Sequence, residues 1–283
     1  MPHIWQLTVS STIRQARRSL RYRLRRLLWP VSATCIRRGL TGLMPGGCRV
    51  LMMHSSLTAC GYVEGGANTV VTEVSRFCNT ICMPTHTYCY PRAGDINAPV
   101  FDSEQTPSRV GHITDFFWRL PHVCRSRHPS HSLAVRGANA EGICQDHEFC
   151  QTPCGAGTPY QKLIEEDAAV LMFGTSMDTY TLFHTAEDAA SCEYLYFDQP
   201  LMLRYSAGGA THSCRTWRQD MSVPRRFTEM GRVLEKEGLL RRVSLGRGEL
   251  LLVPSSRQTH EFLLEHLRRD PWYLAVRPMA NVS

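Results

Sequence analysis

Apolar residues along the chain fall into two alternating patterns. Short and nearly continuous apolar runs predict buried strands: CRVLMMHSS around residue 50, TICMPTHTY from residue 80, LAVRG from residue 133 and AAVLMFGTS from residue 168. Between them, apolar positions recur at steps of three and four. GGANTVVTEVSRF opens after Gly65 and Gly66 and puts Val70, Val71, Val74 and Phe77 on one helical face. SRVGHITDFFWRLP is a second amphipathic helix, stopped by Pro121; PYQKLIEED, DTYTLFHTAEDAA, RRFTEMGRVLEKEGLL and SRQTHEFLLEHLRRD follow. Asp178 is placed to cap the helix that contains His184, and Ser255 or Ser256 the last one. RRVSLGRGELLLVP reads as a hairpin turned at glycine. Strands that alternate with helices predict an α/β fold, with a largely buried sheet covered by helices.

Three predicted strands end in small polar residues: Ser55-Ser56, Thr85-His86-Thr87 and Thr175-Ser176. Open α/β sheets bind ligands beyond the carboxyl ends of their strands, so these three turns are expected to share one crevice.

Charge changes the picture at one end only. The formal net charge is +7, yet residues 1–38 hold nine arginines and no Asp or Glu, while the other 245 residues hold 23 basic and 25 acidic side chains. STIRQARRSLRYRLRRLLWP sets Ile13, Leu20, Leu24, Leu27 and Leu28 mostly three or four apart among the arginines, which predicts a basic amphipathic helix ending at Pro30. Such an arm lies on an anionic membrane, docks a partner or nucleic acid, or packs on the protein's own body. The expected division is an arm over 1–38 and one main domain over 39–283. No apolar run approaches the roughly 18 residues of a membrane span. LLWPVSATC is broken by Pro30 and makes a poor signal peptide, so a cytoplasmic location is expected. The twelve cysteines include no C-x-x-C pair and are expected to be free thiols.

Three stretches carry candidate chemistry. HSSLTACGYVEGGANTVV runs from a strand through hydroxyls and a Gly-Gly into a helix, which suits either an anion or an ordinary connection; it lacks the Gly-Lys-Ser/Thr ending of a Walker loop. RSRHPSHS crowds two arginines, two histidines and three serines into eight positions, as phosphate donors, zinc ligands or solvated loop. In TLFHTAEDAA, His184 and Glu187 share a helical face with Thr181 one turn earlier. Glu187 there fixes the tautomer of a general base, or contributes to a metal site, or stands beside a structural histidine. A metal needs a third ligand, which would have to come from His128 or His131, and no His-Glu-x-x-His is present.

In order along the chain, MMHSSLTACGYVEGGANTVV, MPTHTY, FDSEQTPSRVGHITDFFWRLP, RSRHPSHSLAVRGANAE, GAGTPYQKLIEEDAAVLMFGTSMDTYTLFHTAED and EKEGLLRRVSLGRGELLLV resemble the aminoglycoside 3-N-acetyltransferase family over roughly residues 46–270. The arginine-rich first 45 residues have no counterpart in that resemblance. It implies a mixed α/β/α sandwich in a single catalytic domain, outside the GNAT fold, that moves an acetyl group from acetyl-CoA to a primary amine of an aminoglycoside. It implies His184 as general base, Glu187 as its partner and Thr181 as oxyanion donor. Ser55, Ser56, Thr85, Ser126 and His128 would line the coenzyme A channel, and Asp178 would help bind the amine. No metal and no nucleic acid are expected; peripheral membrane contact through the arm is left open. The body's near-neutral charge keeps an amino sugar or other biosynthetic amine in view as acceptor, since polycations favour acidic pockets. A zinc-dependent hydrolase using His128, His131 and His184 is the rival of a different class.

Overall fold

The structure, a computed structural model, describes Leu20, residues 23–91 and residues 98–278. Among these, the strands in chain order are β1 (Pro30–Val31), β2 (Cys48–Ser55), β3 (Tyr62–Val63), β4 (Cys78–Pro84), β5 (Val100–Asp102), β6 (Cys124–Arg125), β7 (Leu133–Gly137), β8 (Ala169–Phe173), β9 (Leu201–Ala207), β10 (Ala210–Thr216), β11 (Arg241–Leu245) and β12 (Gly248–Val253). Seven of them build the central sheet in the order β11-β12-β8-β2-β4-β7-β6. At its centre β2 runs parallel to both β4 and β8, with Leu51 opposite Ile81 on one side and Ala169 on the other. β7 and β12 flank this core antiparallel, so the sheet is mixed.

The central strands read as unbroken apolar runs because both faces are covered. Successive residues point to opposite sides. Val50, Met52, Cys82, Val170 and Met172 enter one core, with Tyr160, Leu163, Phe183, Phe227, Leu263 and Leu267. Leu51, Met53, Ile81, Leu171 and Phe173 enter the other, with Ile36, Leu40, Val70, Val74 and Phe117. Helices Ala33–Leu43, Gly66–Val74 and His112–Phe117 thus cover one face; Pro159–Glu165, Leu182–Ala189, Phe227–Lys236 and Ser256–Arg269 cover the other. The architecture is the expected α/β/α sandwich. β9 and β10 form a hairpin joined to β5, a small second sheet over Phe101, Leu203, Tyr205 and Cys214.

Two local features depart from expectation. The helix of His184 does not run from Asp178: Met177–Thr179 is a separate 3-10 turn, Tyr180 is extended, and the helix is Leu182–Ala189. Asp178 therefore caps nothing there, and its carboxylate accepts from the Ser176 and Thr228 hydroxyls at 2.9 and 2.6 Å. At the amino end, the boundary expected at residue 38 falls inside the helix Ala33–Leu43. Ser32 caps that helix, Ile36 and Leu40 are fully buried in it, and Arg37 pairs with the buried Glu73 at 2.8 Å. Residues 23–28 are helical and stop before Pro30, as the pattern predicts; residues 1–19, 21 and 22 of the expected amphipathic helix lie outside the described residues.

Candidate active site

The parallel arrangement of β2, β4 and β8 brings their carboxyl ends side by side. Each end delivers a side chain to one cavity of about 370 Å³: His54 and Ser55 from β2, His86 after β4, and Thr175 after β8. The three polar turns read from the sequence do converge on one crevice. Gly174 makes the turn at the end of β8 with φ +66°; a Cβ there would stand 2.8 Å from Cys60 Sγ and 3.0 Å from Ser56 O. Only glycine fits both the left-handed backbone and the space. The segment Asp178–Thr181 and His184 close one wall, and Tyr88, Tyr90, His131, Arg218 and Gln219 line another.

His184 Nδ1 donates to Glu187 Oε2 at 2.7 Å. The glutamate is fully buried and the histidine side chain is 12% exposed, so the pair presents its other ring nitrogen, Nε2, to the cavity. Phe227 holds the imidazole from the side, with ring centroids 5.3 Å apart at 63°. Thr181 lies one turn earlier on the same cavity wall, 5% exposed. A buried carboxylate costs several kcal/mol unless it is compensated. The compensation is Arg225, whose Nε stands 2.9 Å from Glu187 Oε1 with a side chain only 7% exposed. The N–H is not aimed along a hydrogen bond to that oxygen. Contact is thus chiefly Coulombic, and the guanidinium is pinned by Val223 O at 2.6 Å and by the Tyr194 ring at 4.7 Å. Arg225 has no periodic or motif signal that ties it to Glu187, and the sequence reading missed it.

A buried histidine layer starts at the cavity wall with His54, His86 and His131 and continues behind it with His128 and His147. Tyr160 donates to His131 O at 3.0 Å, so its oxygen accepts from His86 Nε2 at 2.8 Å. His147 Nε2 donates to Pro153 O at 3.0 Å, which leaves Nδ1 to accept from Ser126 Oγ at 2.8 Å. His128 stacks on His147 with centroids 4.6 Å apart. Burial pushes His54, His131 and His147 down to about 3, and burial with neighbouring histidines lowers His86 and His128 as well. All five rings are neutral near neutral pH.

Of the residues expected along a coenzyme A channel, Ser55 lines the cavity and its Oγ has no hydrogen-bond partner; His54 Nε2 beside it is equally unpartnered. Two orphaned buried polar atoms facing a cavity are what a bound ligand would satisfy. The other four residues sit differently. Ser56 carries the turn through its amide, which donates to Phe173 O at 2.8 Å. Thr85 Oγ1 is occupied by Ser132 and Arg125, Ser126 Oγ by His147 and the Leu133 amide, and His128 Nδ1 by the His131 amide. None of these four borders the cavity, whereas their neighbours His86 and His131 do. The Gly65-Gly66 turn, open in the sequence to an anion, also lies off the cavity. The zinc alternative is not assembled: His128 Nε2 faces Thr216 at 3.3 Å, and among the described residues no three His, Cys, Asp or Glu side chains are grouped to hold a metal ion. Likewise, all twelve cysteines are free.

The aminoglycoside 3-N-acetyltransferase family model matches residues 52–267, most of the sandwich and every wall of the cavity. The chain belongs to that family. Aminoglycoside N(3)-acetyltransferase VII of Streptomyces paromomycinus is 28% identical over 200 residues, 64% of this chain and 69% of that protein. The YokD protein of Bacillus subtilis, an aminoglycoside N(3')-acetyltransferase-like protein, is 31% identical over 157 residues, 48% of this chain and 57% of that one. Among solved structures, aminoglycoside acetyltransferase AAC(3)-IVa in complex with gentamicin superposes with a TM-score of 0.74 at 25% identity, over 88% of this chain and 93% of the other. AAC-IIIb bound to CoASH shares the fold, with a TM-score of 0.75 at 22% identity over 89% of this chain and all of the other. The family match starts after the arginine-rich arm, which lies outside it.

Proposed function

We propose that the protein transfers the acetyl group of acetyl-CoA directly to a primary amine of an aminoglycoside, with His184 as general base. The observation that carries this reading is the His184–Glu187 hydrogen bond at a cavity wall, backed by a buried glutamate that has no role on the surface. An amine near neutral pH is mostly protonated and does not attack a carbonyl. The free amine nitrogen attacks the thioester carbon as Nε2 of His184 takes its proton, a contribution of about 10² to 10⁴ in rate. Charge develops on the carbonyl oxygen, and Thr181, which lines the same cavity, is assigned to donate to it. Collapse of the tetrahedral intermediate breaks the carbon–sulfur bond, and the departing thiolate recovers the proton from His184. Glu187 holds the productive tautomer throughout, and Arg225 holds Glu187. Ser55 and His54 are assigned to the coenzyme or its acyl group, and Thr85, Ser126 and His128 to the layer that supports them. AAC-IIIb bound to CoASH and AAC(3)-IVa bound to gentamicin support coenzyme and acceptor as ligands of this fold. The catalytic body begins near Pro30 in this reading, since β1 and the helix Ala33–Leu43 are packed into it.

A second reading is favoured by the cavity's charge. Its lining holds one carboxylate, Asp178, against one guanidinium, Arg218, and the histidines of the buried layer are neutral. Among the described residues Arg218 makes no ion pair; it rests over the rings of Tyr90 and Phe197 at 5.1 and 5.3 Å. A balanced lining suits an amino sugar of low positive charge better than a polycation. Thiol release from acetyl-CoA, measured over gentamicin, apramycin, paromomycin, glucosamine and glucosamine 6-phosphate, decides between them. Release with the antibiotics supports the first reading, release confined to the sugars supports the second, and silence with every amine removes both.

A further inference from the structure

We infer that the segment Arg23–Trp29 is a membrane-surface anchor that seats the protein on an anionic lipid bilayer. Within this segment the leucines are not packed on the protein. Leu24 is 44% exposed, Leu27 78% and Leu28 55%, and Trp29 at their root is 36% exposed. At about 100° per residue, Leu24, Leu27 and Leu28 fall within roughly 100° of arc on one face of the helical stretch 23–28. Arg25 and Arg26 point away from that face and Arg23 flanks it, while Arg26 also lies over the Tyr62 ring at 5.8 Å. Three exposed leucines on one helical face, with Trp29 at their root, are far from the scattered apolar residues of an ordinary surface.

The body fixes where this helix emerges. Trp29 O accepts from the Tyr62 amide at 2.9 Å, and β1 then pairs with β3. Arg247, from the β11–β12 turn, lies over the Trp29 ring at 5.5 Å and adds a cation at the root. The first 38 residues carry nine arginines and no acidic residue, so the segment's charge has one sign throughout.

This combination selects one kind of occupant. A phosphate backbone would take the arginines and leave the leucines in water. An anionic bilayer takes both: leucines and the interfacial tryptophan enter the acyl boundary, and arginines meet lipid phosphates. The anchor is separate from the catalytic cavity, which the segment does not line, and the inference does not depend on the acceptor.

The test is co-sedimentation of the full chain with vesicles of phosphatidylcholine containing about 30% phosphatidylglycerol, and with phosphatidylcholine alone. Binding is expected to be at least about tenfold stronger on the anionic vesicles, since each basic residue near such a surface contributes roughly fivefold. The Leu24→Asp/Leu27→Asp variant, checked for an unchanged unfolding temperature, is expected to lose at least tenfold in vesicle binding. Equal retention of the variant, or no binding of the intact chain to anionic vesicles, overturns the inference. So does retention on a short DNA duplex that exceeds retention on vesicles.

Discussion

The buried histidine layer is expected to make the protein acid-labile at a pH where ordinary domains are still stable. His54, His131 and His147 are buried, the first two at the cavity wall, with burial holding each down to about 3 from an ordinary 6.5. The sign follows from proton counting. Between about pH 3 and 6.5 the unfolded chain binds a proton at each site and the folded chain does not, so stability falls as pH falls. The stability these rings preserve is fully present above 6.5. At pH 5 each ring costs about 2 kcal/mol relative to pH 7.5, and the cost is insensitive to the folded value because pH 5 lies well above it. Three rings cost roughly 6 kcal/mol, comparable with the entire stability of a typical domain, about 5–15 kcal/mol. His86 and His128, lowered for the same reason, add to the loss. Urea unfolding followed by circular dichroism at pH 7.5, 6.5, 5.5 and 5.0 measures it. The midpoint is expected to fall steeply below pH 6.5, with unfolding in little or no urea near pH 5. A stability constant to within about 1 kcal/mol across that range would refute the neutral, buried assignment.

Other consequences concern single side chains. Glu187→Gln leaves Arg225 buried without its counter-charge and should destabilise the fold by about 3–5 kcal/mol, with kcat lowered by about 10² or more in whatever fraction stays folded; chemical denaturation and single-turnover rates measure the two effects separately. Tyr160→Phe removes the oxygen that accepts from His86 and the hydroxyl that donates to His131 O. That should cost about 1–3 kcal/mol, read as a shift in urea midpoint at pH 7.5. Arg218→Glu makes the lining acidic and should raise kcat/KM for gentamicin on the order of tenfold relative to glucosamine 6-phosphate; an unchanged ratio would remove Arg218 from acceptor selection.

Much of the fold could be read from periodicity, because the three central strands are apolar on both faces and the covering helices carry clear stripes. The crevice was legible for a topological reason: strands ending in Ser55, Pro84 and Phe173 run parallel and side by side. What escaped was set by contacts distant in sequence. Arg225 meets Glu187 from the segment just before Phe227, whose ring packs on Phe183 and His184. Thr85, Ser126 and His128 look like ligand-binding residues in a one-dimensional reading, since nothing in RSRHPSHS says which hydroxyls are already bonded to neighbours. In the structure their groups are spent, and the cavity falls to His54, Ser55, His86 and His131. The break at Tyr180 is equally invisible to a helical pattern, yet it turns Asp178 out of the helix and into the cavity wall. The β9–β10 hairpin is absent from the expectations, although Gly208-Gly209 between two strand-length segments marks its turn.

Direct acetyl transfer with His184 as base is tested most directly by thiol release from acetyl-CoA with the best amine of the panel, comparing the intact protein with His184→Ala at pH 7.5, alongside calorimetric binding of coenzyme A to both. The expected result is turnover reduced by at least about 10² in the variant with coenzyme A affinity preserved within a few-fold. Near-normal turnover in His184→Ala would contradict it.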